Sequence, residues 1–179
     1  MTARAYTVLA VKRVAACDMA VCGLLNGISR RRSVKNFFAA VSRLGDGWFW
    51  YGLMILLPLI YGESGVAASL LMLRVGVLNY IIYKIVKELT GRPRPCAVHS
   101  GIAVGAAPLD QYSFPSGHTM HAVAFSLVAI AQHGELAWML VPFAGCVALS
   151  RMILGLHYPT DVIAGGVIGA LTASWMIGS

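Results

Sequence analysis

Charge is what this sequence has least of. Only 12 % of its 179 residues are Asp, Glu, Lys or Arg, about half the roughly 25 % usual in soluble domains. With 58 % hydrophobic residues and a mean hydropathy of +0.73, that shortage excludes an ordinary soluble enzyme. Acidic side chains are scarcer still, seven against 14 basic ones. The four cysteines (Cys17, Cys22, Cys96, Cys146) have no CxxC or zinc-finger spacing, which argues against a disulfide framework or a structural metal. No continuous apolar run precedes a small-residue cleavage site, so a signal peptide fits poorly. Internal repeats and low-complexity linkers are also missing. The chain therefore reads as one domain over residues 1–179, with a basic, partly interfacial segment over residues 1–32.

What the chain does have is long apolar runs. They cover residues 48–62, 65–86, 119–131, 136–150 and 162–178. A bilayer core about 30 Å thick takes roughly 20 mostly apolar residues per helix. Residues 65–86 meet that alone, and the others do so once their weakly polar flanks are counted. The expected fold is all-α, a polytopic membrane bundle of about five spans. Before them, Arg4, Lys12, Arg13, Arg30, Arg31, Arg32 and Lys35 gather half of the 14 basic residues. Residues 17–29, which contain Asp18 and Asn26, are only modestly apolar and suit a short helix lying at the interface. "RRRSVK" suits a loop facing lipid headgroups. Without aromatic interleaving or a soluble fold, it gives no case for nucleic-acid binding.

Polar groups inside a membrane protein are expensive, so those present are candidates for function. Beyond the N-terminal segment they fall in three clusters: "KELTGRPRP" (87–95), "FPSGHTMH" (114–121) and "SRMILGLHYPTD" (150–161). If the chain crosses between residues 65 and 86, parity brings all three to the same membrane face. Lys87, Arg94, His118, Arg151 and His157 would then converge, and Asp161 alone is too little to balance them. A phosphate or similar oxyanion would. Arg94 and Arg151 offer planar donor forks, and Lys87 a point charge. Ser116 can donate a hydroxyl, and Gly117 allows close backbone approach at a helix N-terminus. Ser116 or Thr119 can serve as N-cap. Pro159 confines a helix start to residues 159–161, which leaves His157 just outside it. Asp161, four residues on, is placed to accept an N–H from the ring and fix its tautomer. Two histidines are the number that a nucleophile and an acid require.

Lys87-x6-Arg94-Pro95, then Pro115-Ser116-Gly117-His118, then Ser150-Arg151-x5-His157-x3-Asp161 resemble the three-part signature of the type-2 phosphatidic acid phosphatase superfamily. All three parts are intact in order and spacing. The resemblance implies a metal-independent, cofactor-free hydrolysis of a lipid phosphomonoester or pyrophosphate in two steps. His157 would attack phosphorus and form a phosphohistidine, oriented by Asp161. His118 would protonate the leaving oxygen and later help activate water. Lys87, Arg94, Ser116, Gly117 and Arg151 would hold the phosphoryl oxygens. The short layout is similar to small bacterial members acting on undecaprenyl pyrophosphate or phosphatidylglycerophosphate.

A phosphotransferase shares the phosphohistidine step, so the sequence leaves that alternative open. A silent lipid-binding or transport protein would be expected to have lost catalytic residues, and none is lost. His121 suits polar lining, His99 an exposed loop, and Arg92 either a phosphate or a headgroup contact. Arg74 lies mid-span and Asp46 is a candidate partner for it. "WFWY" (48–51) suits an interfacial aromatic belt. The expected location is a bacterial inner membrane. Counting positive charges puts the catalytic face in the cytoplasm, unless residues 5–28 cross the bilayer. Family members acting on undecaprenyl pyrophosphate usually face the periplasm.

Overall fold

The structure, a computed structural model, describes residues 3–108 and 110–179. The first two residues of the basic segment, the side chain of Arg4, and Leu109 lie outside the described residues. The helices are α1 (Ala3–Ile28), α2 (Arg32–Arg43), α3 (Phe49–Tyr61), α4 (Glu63–Thr90), the single turn α5 (Pro95–Val98), α6 (Gly117–Gln132), α7 (Ala137–Ile153) and α8 (Pro159–Ile177). A π-helical turn, Leu44–Trp48, joins α2 to α3. No strand of a sheet occurs among the described residues, only an isolated bridge between Pro93 and Tyr112.

Four stretches are long and apolar enough to cross a bilayer: Arg32–Tyr61, Glu63–Thr90, Gly134–Ile153 and Pro159–Ile177. The remaining expected span falls in α6, which has 16 residues. At 1.5 Å per residue it reaches about 24 Å, short of a hydrocarbon core of about 30 Å. It is the central helix, packed on α4, α7 and α8, with buried residues on most of its faces. Four bilayer-length stretches thus surround a shorter axis. On α4 the outward stripe Leu70, Leu73, Val77 and Ile81 is exposed, while Ala68, Met72, Val75 and Asn79 are buried. Both stripes are apolar or nearly so, as a helix between protein and hydrocarbon requires.

Two expectations need correction. Residues 17–29 are not a separate short helix but the second half of the 26-residue α1. Its Asp18, Cys22 and Asn26, spaced by four, are buried against protein. "WFWY" is split: Trp48 and Tyr51 face outward, but Trp50 is enclosed. Its ring packs on Phe125 and Phe143 at centroid distances of 5.4 and 5.5 Å. A four-residue aromatic run on a helix must point in several directions, so it cannot all lie at one interface.

The α6–α8 pair carries Gly117, His118 and Asp161 of the expected site, and it closes on glycine. A Cβ at Gly165 would lie 2.4 Å from the Ser116 carbonyl oxygen, and one at Gly169 2.3 Å from that of Met120. The small-xxx-small spacing lets the backbones touch. Gly166, on the neighbouring face, would meet only methyl groups at 3.9 Å. Gly169→Val is therefore expected to destabilise the protein by about 1–3 kcal/mol, the usual range for overpacking. Gly166→Ala should stay within about 0.5 kcal/mol of wild type. Unfolding of the two variants in the same detergent measures the contrast.

Candidate active site

Four helix ends meet at one end of the bundle. α4 stops because Gly91 adopts a left-handed φ of 54° and donates its N–H to the Lys87 carbonyl at 3.0 Å. That leaves Lys87 in the last turn. α7 stops shortly after Arg151, and Gly155 turns the chain with φ 72°. A side chain there would strike Ile102 at 2.6 Å. His157 follows, its N–H bonded to the Arg151 carbonyl at 3.1 Å. α8 begins at Pro159, within the interval the sequence allows. α6 begins at Gly117, where a Cβ would overlap the Tyr83 ring at 2.9 Å.

These ends enclose a cavity of about 460 Å³ lined by Lys87, Arg94, Gly117, His118, Arg151 and His157, among others. Residues spread over 71 positions of sequence, from 87 to 157, are thus brought together. Ser116 and Asp161 do not line it. Ser116 occupies the N-cap position, yet its hydroxyl pairs with the Thr119 hydroxyl at 3.0 Å and caps no helix N–H. Its own N–H donates to the Asp161 carbonyl at 3.0 Å, which ties α6 to α8 behind the wall.

The pairings inside the cavity differ from the sequence expectation. Asp110, from the loop after α5, accepts from Lys87 Nζ at 2.6 Å, Arg94 Nη2 at 2.8 Å and the Tyr83 hydroxyl at 2.6 Å. Burial alone would raise its pKa, but the Lys87 and Tyr83 hydrogen bonds and the Lys87 and Arg94 charges hold it below the ordinary carboxylate range. Asp46 pairs with His118 rather than with Arg74, from the π-helical turn where Gly47 takes φ 135°. Arg151 donates to the Ser42 hydroxyl, while its Nε is buried without a partner among the described residues. Arg92 leaves the cavity and bridges Asp18 and Asp161. His121 lines the wall, its Nδ1 2.8 Å from the Gly117 carbonyl, and His99 is exposed.

The expected His157–Asp161 hydrogen bond is replaced by a separation of 3.7 Å between Nδ1 and Oδ2. Oδ2 is taken by the Tyr158 N–H at 2.8 Å, because Asp161 also caps its own helix. The tautomer can still be deduced. Arg94 Nη1 lies 3.1 Å from His157 Nε2. Arginine only donates, so Nε2 is the acceptor and the ring proton sits on Nδ1, facing Asp161. Burial, then the charges of Arg151, Arg94 and Lys87, push the His157 pKa well below its ordinary value.

Asp110, Tyr83, Ser42 and the Asp46–His118 pair were not found from the sequence. The one available signal was scarcity, because with seven acids in the chain any carboxylate on the catalytic face must answer a cation.

The opposite part of the cavity is apolar. Trp50, Met54, Leu73, Val77 and Phe125 line it. Leu73 and Val77, with the neighbouring Tyr51 and Tyr80, are also exposed on the outside of the bundle. The cavity therefore runs from a cationic, imidazole-bearing end to a hydrophobic surface between α3 and α4.

Residues 66–178 match the PAP2 superfamily, and the chain belongs to it. It is 40 % identical over 92 residues to decaprenylphosphoryl-5-phosphoribose phosphatase of Mycobacterium tuberculosis, covering 51 % of this chain and 49 % of that one. It is 34 % identical over 95 residues to the undecaprenyl-diphosphatase BcrC of Bacillus subtilis, covering 53 % and 47 %. The chain thus spans about half the length of these curated relatives. The crystal structure of a transmembrane PAP2-type phosphatidylglycerolphosphate phosphatase from Bacillus subtilis shares the fold. Its TM-score is 0.76 at 24 % identity, over 93 % of this chain and 85 % of that one.

The depressed pKa of His157 has a measurable consequence. The unfolded chain takes up a proton at this residue near pH 6.5, whereas the native ring does not. Its contribution to stability is therefore present above that pH and is lost as pH falls. Histidine-selective ¹⁵N NMR in micelles is expected to find His157 still neutral at pH 6, with its one ring proton on Nδ1 and Nε2 unprotonated. A titration midpoint near 6.5 would contradict the burial and charge argument.

Proposed function

We propose that this protein is an integral-membrane lipid phosphatase that cleaves a terminal phosphate from a polyprenyl or glycerophospholipid carrier through a phosphohistidine. The observation that carries the reading is one cavity with a cationic end and an apolar end opening on the lipid-facing surface. A lipid phosphate has the same two-part chemistry. In the proposed first step His157 Nε2 attacks phosphorus. The bond from phosphorus to the lipid oxygen breaks, and that oxygen takes a proton from His118. In the second step water attacks the phosphohistidine and gives its proton to His118, while Nε2 leaves and phosphate is released.

Arg94 has two duties in this scheme. It now holds the lone pair of Nε2. A phosphoryl oxygen arriving beside it would take that donor and free the nucleophile. The unpaired Arg151 Nε is a second donor available to the same group. Asp110 already presents a carboxylate to Lys87 and Arg94, so an incoming phosphate must share or replace it. Ser116 would act from behind the wall by fixing α6 to α8, and Gly117 would act through its position at the N-terminus of α6. Asp161 would orient His157 as charge develops on the ring. Hydrolysis needs neither a metal nor a cofactor in this scheme, and the substrate and bilayer are the only partners it calls for.

His157→Ala, purified in detergent and folded by its thermal transition, is expected to release no phosphate. The substrates to assay are a polyprenyl pyrophosphate, phosphatidylglycerophosphate and a polyprenyl-phosphate sugar carrying a terminal phosphate. Full activity in the variant would sink the mechanism. Transfer to an added acceptor instead of water would favour the phosphotransferase reading.

The catalytic end is proposed to face the cytoplasm of a bacterial inner membrane. α1, with 26 residues, is not among the stretches both long and apolar enough to cross a bilayer, and its buried residues dock on the catalytic loops. The basic residues that follow it are then on the same side as the site. A single cysteine at position 100, in a background without the native ones, should resist an impermeant thiol reagent in intact cells and react after lysis. Labelling in intact cells would place the site on the other face.

A further inference from the structure

Asp161 is buried and holds its place through contacts made by a residue that is itself held. Its Oδ1 accepts from Arg92 Nη1 at 2.6 Å. The same guanidinium donates from Nη2 to Asp18 Oδ2 at 2.7 Å and stacks over the Tyr158 ring, 4.0 Å from its centroid. Asp18 completes the circuit. Its Oδ1 accepts the Thr160 N–H at 3.0 Å, and its Oδ2 accepts the Thr160 hydroxyl. Thr160 N–H is one of the orphan donors at the start of α8, so a carboxylate from α1, 142 residues away in sequence, caps the helix that carries Asp161.

We propose that Asp18 is a positioning residue for the active site, acting through Arg92 on Asp161 and thereby on His157. The proposal rests on the phosphohistidine reading above. The superfamily match begins at residue 66, so α1 lies outside it. Two further residues press the same helix on the loops at the cavity end. Asn26 Nδ2 donates to the Ala103 and Ile153 carbonyls at 2.9 and 3.0 Å, and Cys22 Sγ lies 3.9 Å from the His157 carbonyl.

The charge arrangement gives Asp18 a role beyond stapling. Two buried carboxylates share one guanidinium. Arg92 therefore neutralises neither fully, and Asp161 keeps negative character toward the Nδ1–H it faces. Without the Asp18 charge, Arg92 belongs to Asp161 alone. The carboxylate is then compensated and drawn toward Arg92, away from a ring that already stands 3.7 Å off. The phosphate and tail ends of the cavity are untouched, so the loss should fall on turnover rather than on binding.

The test uses the full chain in detergent with whichever substrate of the panel above is turned over. Asp18→Asn keeps the shape and removes the charge. Its kcat is expected to fall at least tenfold with KM within about twofold of wild type and an unchanged thermal transition. Arg92→Gln should lose a similar amount, and the double variant should be no worse than Arg92→Gln, since both act along one path. The His157 Nδ1–H proton resonance should move in both single variants, a readout that does not require turnover. If no substrate is turned over, or His157→Ala stays active, the phosphatase reading fails while the resonance still tests the relay. Unchanged kcat and resonance in folded Asp18→Asn overturn the proposal, as does strict additivity with Arg92→Gln. If Asp18→Asn does not fold, Arg92→Lys takes its place. It keeps the charge but lacks the planar fork whose two nitrogens reach the two carboxylates separately, and wild-type kcat and resonance there are equally fatal.

Discussion

Three cations and three imidazoles share one cavity within a bundle of apolar helices, where like charges repel far more than they do in water. The rest of the site is arranged around that repulsion. Asp110 answers Lys87 and Arg94 together, Asp46 answers His118, and backbone carbonyls take further donors: Tyr112 from Lys87 and Leu156 from Arg94. Arg151 receives only a neutral hydroxyl, from Ser42. It also keeps a buried N–H unmatched. The compensation is therefore incomplete at Arg151. In the proposed reaction a multiply charged phosphoryl group would supply what the chain's few carboxylates do not.

Holding such groups at fixed separations demands a rigid frame, and the frame is the α6–α8 contact. Gly165 and Gly169 let α8 approach α6 to backbone contact, so His118 on one helix and the loop before the other keep their relation. The Ser116 N–H to Asp161 carbonyl bond repeats that contact at the cavity end. On the far side, the buried Thr172–Asn79 hydrogen bond of 2.7 Å ties α8 to α4, the helix that delivers Lys87. Each of the three polar clusters thus sits on a helix end whose partner is fixed by a close or polar contact deeper in the bundle.

Much of this was legible because polar residues are rare in the chain. A scarce charge in an apolar sequence stands out, and parity was enough to bring Lys87, Arg94, His118, Arg151 and His157 to one end. What was hidden were pairings that depend on loop paths. Asp110 lies in a loop with no periodicity to orient it, and Asp46 sits on a π-helical turn that shifts its direction relative to an α-helix. Asp18 reads from the sequence only as a polar residue on an interfacial helix, because nothing local indicates that its partner is 142 residues away. α6 reads as one more span for another reason. Hydropathy reports how apolar a segment is, and a central helix buried in protein is as apolar as one that spans lipid.

The spacing of His157 and Asp161 suggested a direct hydrogen bond, and its absence clarifies how the ring is set. Asp161 has three claims on its two oxygens. Oδ2 takes the Tyr158 N–H, Oδ1 takes Arg92, and the imidazole is left at 3.7 Å. A neutral ring gains little from closing that gap, because its Nδ1–H is a weak donor compared with a guanidinium. In the proposed reaction, bonding of Nε2 to phosphorus would spread positive charge to Nδ1 and change the balance. A charged donor facing a buried carboxylate is worth more than a neutral one. The contact is thus stronger when the ring carries charge than when it does not, which is the differential that lowers a barrier rather than merely tightening a resting arrangement. On this view the same carboxylate can cap α8 at rest and stabilise the imidazolium during reaction, without a separate residue for each task.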